Sequence, residues 1–290
     1  MWRILFAAVF WGFNWPAVKI LLGGASPWTL RAAGLAGGFC VLLVILAVMG
    51  RSLRLPAAAV RPVVVGGLLN IVGFNVCAVF AQLTMPTSRA AIVTFTMPLW
   101  AQLFGWIWLG EKLDRLRLVS LSLGMGGLGL LSVPFWPVIA AGGVPFGLVY
   151  ALGAAIFWAL GTVYLKRNPI PGEPLAGVAW QIFVGAVVCT LAMLAFETPY
   201  LDLSDPKRFT AFVYHIVLPQ GIVYVVWFAL LTRVAASTAA LGTLLIPIFG
   251  VIGAVVLLGD RPTTLDMAGL ALILAAVGGD TLFRRRIAAG

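Results

Sequence analysis

"SRAAIVTFTMPLW" (Ser88–Trp100) and "STAALGTLLIPIF" (Ser237–Phe249) lie 149 residues apart in one chain. The register that overlays them pairs Thr94 with Thr243 and Pro98 with Pro247. It runs on to pair "LGEK" (Leu109–Lys112) with "LGDR" (Leu258–Arg261). An earlier echo agrees: "AAVFW" (Ala7–Trp11) returns as "AAIFW" (Ala154–Trp158), 147 residues on, and the same shift pairs Lys19 with Lys166. Two matches in the same order with nearly equal offsets mark an internal duplication. The expected units are residues 1–138 and 139–290.

The duplicated element is a set of membrane helices. The chain is 62% hydrophobic and only 10% charged, with a mean hydropathy of +1.08; soluble domains carry about 25% charged residues. Apolar runs long enough to cross a bilayer, about 20 residues at ~1.5 Å each, fall near residues 4–22, 28–49, 62–81, 89–109, 117–135, 146–165, 176–196, 211–231, 238–258 and 266–283. The boundaries around Pro86 and Pro134–Pro145 are the least marked. The expected fold is an all-α polytopic membrane protein of ten transmembrane helices. The first run has only Arg3 ahead of it and is as long as a full span, so it reads as a helix rather than a cleaved signal. Cys40, Cys77 and Cys189 lie at unrelated depths and read as buried small hydrophobes; no metal and no cofactor are expected.

Five helices per unit is an odd number, so the second unit enters the membrane in the opposite sense. The loops agree. The loop between spans 2 and 3 is purely basic (Arg51, Arg54, Arg61), whereas its counterpart between spans 7 and 8 mixes Glu197, Asp202, Asp205, Lys207 and Arg208. With both termini cytoplasmic, thirteen Lys and Arg fall inside and six outside, as the positive-inside rule asks. The net charge of +10 is thus a topology signal, and no nucleic-acid partner is needed to explain it. Inverted repeats are the architecture of alternating-access carriers, with substrate held between the halves near the midplane.

The chain resembles the drug/metabolite transporter superfamily, EamA type. The resemblance rests on Trp11, Gly12, Asn14 and Lys19 in the first span, Pro27 and Arg31 opening the second, and Pro98 with Gly110–Glu111. It also rests on Pro247 with Gly259–Asp260 and on the Trp180–Gln181 pair. Within the superfamily it looks most similar to the ten-helix amino-acid exporters of the YddG type. Arg89 and Asp260 depart from the usual pattern. The resemblance implies an inner-membrane carrier with spans 1, 3, 4, 6, 8 and 9 around a central cavity, exporting small metabolites such as amino acids, aromatic ones included. A drug or nucleotide-sugar carrier is the same-fold alternative, and a membrane-embedded enzyme the alternative of another class. The lipid bilayer and a small-molecule substrate are the expected partners, and a monomer is the working unit.

Polar groups at bilayer depth are costly and usually face a protein interior or a cavity. Asn14 and Trp15 lie near the middle of span 1, Phe74 and Asn75 in span 3, Thr94 and Phe95 in span 4, Trp158 and Thr162 in span 6, Gln181 in span 7 and Tyr224 in span 8. Each alone could serve an interhelical hydrogen bond; as a set spread over both halves they read as cavity lining. Pro98 and Pro247 occupy equivalent positions and each releases a backbone carbonyl, so a hinge is expected there. Lys19 and Arg31, near the outer ends of spans 1 and 2, read first as groups that snorkel to the interface or pair with outer-loop acids. A sharper reading has them attract a carboxylate or close an outer gate. No Asp or Glu lies near the middle of any span, and the single histidine, His215, falls near the outer end of span 8. A neutral or zwitterionic substrate is therefore expected. "GMGGLG" (Gly124–Gly129) fits a dinucleotide fingerprint but sits inside span 5, where close helix packing explains it.

Overall fold

The computed structural model describes residues 2–231 and 242–289; Ser237–Leu241 of the repeated motif, and the side chains of Leu231, Asp280 and 283–289, lie outside the description. Ten helices follow the chain: α1 Trp2–Leu22, α2 Pro27–Val48, α3 Ala57–Thr84, α4 Thr87–Leu109, α5 Arg115–Ala140, α6 Phe146–Arg167, α7 Pro174–Phe196, α8 Pro206–Leu230, α9 Leu245–Leu258 and α10 Thr264–Ala289. The first eight are each long and apolar enough to cross a bilayer, and α9 and the Thr264–Gly279 part of α10 are shorter apolar helices. The only strand-like pairing among the described residues is a single bridge, Ala25 with Leu201, between the α1–α2 and α7–α8 loops. Helix α5 outruns its expected end at residue 135. Pro134 and Pro137 each sit in the first turn of a short helical segment, where the missing N–H is not needed.

Besides α5, four of the described helices are irregular, and their irregularities recur at equivalent places. In α3 the residues Gly67–Gly73 form a π-helical turn, and in α8 the residues Leu218–Ile222 form another. Helix α4 breaks at Phe95–Thr96, with Pro98 in the first turn after the break. A turn at Leu244 precedes α9, with Pro247 in its first turn. Both α4 and α9 then stop on a left-handed glycine, Gly110 at φ +67° and Gly259 at φ +72°. "LGEK" and "LGDR" are thus helix stops that only glycine satisfies without strain.

The packing pairs are α2 with α7, α5 with α10, α1 with both α8 and α9, and α6 with both α3 and α4. Exchanging α1 for α6, α3 for α8 and α4 for α9 converts the α1 pairs into the α6 pairs. Small residues set the closest approaches, since lipid offers helices no hydrophobic drive to associate and contact rests on fit. A Cβ on Gly12 of α1 would sit 2.8 Å from the Ile246 carbonyl of α9. Gly127 of α5 meets the Gly269 carbonyl of α10 in the same way, at 2.9 Å.

Helix α4 runs from one face of the bundle to the other. At its start the Ser88 N–H donates to Asp260 Oδ2 at 2.8 Å, and Arg89 forks onto Asp266 at 2.6 and 3.0 Å. At its end Glu111 takes Lys166 of α6 at 2.5 Å and Arg117 of α5 at 2.9 Å. The hydrogen bond from Lys166, aided by Arg117, holds the Glu111 carboxyl below its ordinary range. We refer to these as the Asp260 face and the Glu111 face.

Candidate functional site

A cavity of about 420 Å³ lies at the centre of the bundle, within the size range of small-molecule sites. It is lined from α1, α3, α4, α6, α8 and α9, and also by Arg31 of α2. Of the residues singled out from the sequence, Asn14, Trp15, Phe74, Asn75, Phe95, Trp158, Thr162 and Tyr224 line it, and so does Pro98.

Two do not. Thr94 is fully buried and its hydroxyl donates to the Ala151 carbonyl of α6 at 3.4 Å. Gln181 turns into the α3–α7 contact, where its Nε2 donates to the Gly177 carbonyl at 3.2 Å and its Oε1 lies over Gly66. Its neighbour Trp180 ties α7 to the α2–α3 loop by donating to the Leu53 carbonyl at 2.9 Å. The seventh-helix pair is therefore a packing device. Pro247 is buried away from the cavity.

The wall is aromatic. Phe74 and Trp158 pack with ring centroids 5.0 Å apart, bringing α3 against α6. Trp11 packs edge-on to Tyr224 at 5.6 Å and tilted to Trp227 at 5.5 Å, joining α1 to α8, while Trp15 reaches Phe95 at 6.5 Å. Tilted and edge-to-face pairs are favoured ring geometries, and they leave ring faces to meet an occupant.

The π-helical turns explain how polar groups are held at this depth. A π turn breaks the regular ladder and offers carbonyls to other donors. In α3 the Ile71 carbonyl accepts from Asn75 Nδ2 at 2.8 Å; in α8 the Pro219 carbonyl accepts from Trp11 Nε1 at 3.1 Å. Asn75 is thereby oriented with its Oδ1 toward Arg31, whose Nη1 donates to it at 3.1 Å. Asn14 Oδ1 faces His215 Nδ1 at 2.7 Å. His215 is not near a water-facing end: it is 1% exposed and packs against Gly34 of α2.

Arg31 is likewise no interfacial anchor. It is 3% exposed, it lines the cavity, and its Nε has no partner among the described residues. Lys19, half-buried, donates to the main-chain carbonyl of Gln82 in α3. Gln82 and Gln220 also line the cavity, and Gln82 Oε1 has no hydrogen-bond partner among the described residues. Gln82 and Gln220 are absent from the sequence reading, and Arg31 and His215, which it places near span ends, are buried. The signal that could have found them is position on the helix: Arg31 and Gly34 fall on one side of α2, opposite His215.

Between α4 and α9 the cavity lies on the Glu111 side. Among the described residues, the main α9 contacts of α4 fall on its first segment, Thr87–Thr94, where Ala91 meets Gly250. Past the break, Met97–Leu109 packs on α6 instead, leaving Met97, Pro98 and Ala101 facing the cavity with Thr243 and Ile246.

Comparison with known proteins agrees with this architecture. A transporter of Bacillus subtilis, YvbV, is 28% identical over 94% of this chain and 88% of its own length. A probable amino-acid metabolite efflux pump of Salmonella typhimurium is 28% identical over 94% of this chain and 91% of its own. A solved crystal structure, 24% identical, superposes over 99% of this chain and 97% of the other with a TM-score of 0.68, which bears on the fold alone. The EamA-like transporter family matches residues 1–133 and 145–279. With nearly its whole length covered by that match, this multi-pass membrane chain belongs to the EamA-like transporter family.

Proposed function

We propose that this transporter exports small metabolites, with amino acids, aromatic ones included, as the leading class, across a bacterial inner membrane. The single observation that carries the reading is the central cavity. About 420 Å³ of space, walled by aromatic rings and reached by a few buried polar groups, suits an amphipathic solute with a flat apolar body. The efflux relative described above points to the same class.

The mechanism we propose is alternating access between two inverted repeats, residues 1–138 and 139–290. Support comes from packing pairs that interchange when equivalent helices are exchanged, and from π turns, breaks and glycine stops at equivalent places. Pro98 and Pro247 act as the hinges. Each removes an N–H within a turn of a helix break, so the segments on either side can re-angle without losing a formed bond. The Glu111 face is the cytoplasmic one, following the loop charges. Family and relatives are transporters, so the enzyme alternative is set aside.

Counterflow in proteoliposomes tests this. Unlabelled amino acid preloaded inside should drive stereospecific uptake of labelled amino acid. Flux without such trans-stimulation would indicate a pore, and no exchange of any metabolite would overturn the transport reading.

A further inference from the structure

Arg31 is a cation buried in the wall of the central cavity, and no described carboxylate neutralises it. Its Nη1 donates to a neutral amide oxygen, Asn75 Oδ1, and its Nε has no partner among the described residues. None of the eight described Asp and Glu side chains lines the cavity. Glu111, Glu173, Asp202 and Asp266 are held in ion pairs at the two faces, Glu197 accepts from Thr29, and Asp260 accepts from Ser88. An unpaired guanidinium in a low-dielectric site is expensive to maintain, and intramembrane cations are ordinarily paired.

We infer that the missing counter-charge belongs to the substrate, and that Arg31 anchors a carboxylate in the cavity. This rests on the transport reading above and names the substrate class for that site. Asn75, fixed from behind by the Ile71 carbonyl, holds one edge of the guanidinium. The carboxylate oxygens accept from the remaining N–H groups, as Arg–carboxylate pairs do. Among the described residues no acid lines the cavity to match an ammonium group. The amine of an amino acid can meet only neutral acceptors, such as the unpartnered Gln82 Oε1, and the aromatic faces. The class selected is therefore monocarboxylates with a flat apolar body. The carboxylate is required and the amine is secondary.

The test uses the full-length protein in proteoliposomes and two quenchers of tryptophan fluorescence with the same body, 4-nitrophenylacetate and 4-nitrophenethylamine. Trp11, Trp15, Trp158 and Trp227 line the cavity and report occupancy. The acid should quench saturably. The amine should bind about 10- to 100-fold more weakly, the range expected on losing a charge-assisted bond to a buried cation. Arg31→Gln should weaken the acid by a similar factor, and Arg31→Lys by less. The comparison of the two quenchers on the unaltered protein does not depend on how the variants fold. Equal or tighter binding of the amine, undiminished acid binding by Arg31→Gln, or no saturable quenching by the acid each overturns the anchor. Amino-acid counterflow is read on the same vesicles. Arg31-dependent acid binding without amino-acid exchange would sink the amino-acid reading and leave the anchor standing. Exchange of amino acids with an acid-blind cavity would do the reverse.

Discussion

The Asp260 face and the Glu111 face are built from matching parts and are put together differently. Lys19 and Asp260 on one face correspond in sequence to Lys166 and Glu111 on the other. At the Glu111 face the pair is joined, α6 to α4. At the Asp260 face Lys19 instead reaches the Gln82 carbonyl of α3, and Asp260 reaches the Ser88 N–H of α4. Groups that bond each other at the Glu111 face are therefore spent on bridging α1 to α3 and α9 to α4 at the Asp260 face. Local sequence cannot produce this difference, since the parts are alike; the packing of the helices around them does. On the proposed alternation, the molecule is joined at the Asp260 face and parted at the Glu111 face, and turnover exchanges the two.

The largest effect should come from fixing the joined face. A Cβ on Gly250 would lie 3.5 Å from that of Ala91, at the short edge of disulfide geometry. The double variant Ala91→Cys, Gly250→Cys, made with Cys40, Cys77 and Cys189 replaced by Ser, should lose nearly all counterflow on oxidation and regain it on reduction. Each single variant should be insensitive to oxidant. A cross-linked protein that exchanges substrate at the reduced rate would show that this face never opens.

The comparison also shows what sequence could and could not reveal. The ten spans were legible because bilayer thickness imposes length and apolarity, and the helix stops were legible because Gly110 and Gly259 need a left-handed backbone. The π turns were not: "GLLNIVG" in α3 and "LPQGI" in α8 are apolar runs whose ladder changes through tertiary fit, without a compositional mark. Facing was the other loss. These helices are apolar all round, so periodicity does not tell cavity from helix contact. Thr94 and Gln181 read as cavity lining for that reason yet fall in helix contacts, and nearness to a span end does not reveal that packing against α3 buries Arg31 or that packing against α1 and α2 buries His215.

Trp158 and Gln181 make a second pair on which the assignment of cavity and contact can break. Trp158→Ala removes a ring from the wall and should raise KM about tenfold, the equivalent of ~1.4 kcal/mol, with little change in thermal stability. Gln181→Ala leaves the wall intact and should do the opposite, lowering stability by about 1 kcal/mol through a lost buried hydrogen bond with KM unchanged. Matching KM effects in the two variants would erase the distinction drawn between them.

A smaller effect is expected at the hinges. Pro98→Ala and Pro247→Ala restore an N–H one turn beyond the breaks at Phe95–Thr96 and Leu244, stiffening α4 and α9. Each should slow turnover severalfold while leaving substrate affinity close to that of the unaltered protein, measured as kcat and KM in exchange. Because Pro98 lines the cavity and Pro247 does not, a loss of affinity confined to Pro98→Ala would make that residue a wall contact and leave Pro247 as the hinge.

The smallest effect separates the two faces most finely. Glu111 is held below its ordinary value of 4.5 by the hydrogen bond from Lys166. A depressed carboxyl contributes stability that is present above its unfolded pKa and is lost as pH falls through the folded one. Lys166 is 65% exposed, so the contribution is screened and amounts to about 1 kcal/mol or less. Glu111→Gln should therefore lower the midpoint of thermal unfolding slightly at pH 7, and the difference from the unaltered protein should vanish as pH falls well below 4.5. Asp260→Asn keeps an oxygen to accept from Ser88 but removes a charge from the face that opens on the proposed alternation. Its signature should be a changed exchange rate with an unchanged unfolding midpoint. Equal shifts in unfolding for the two variants would mean that both acids are plain structural ties, and the contrast between the faces would then lie in helix packing alone.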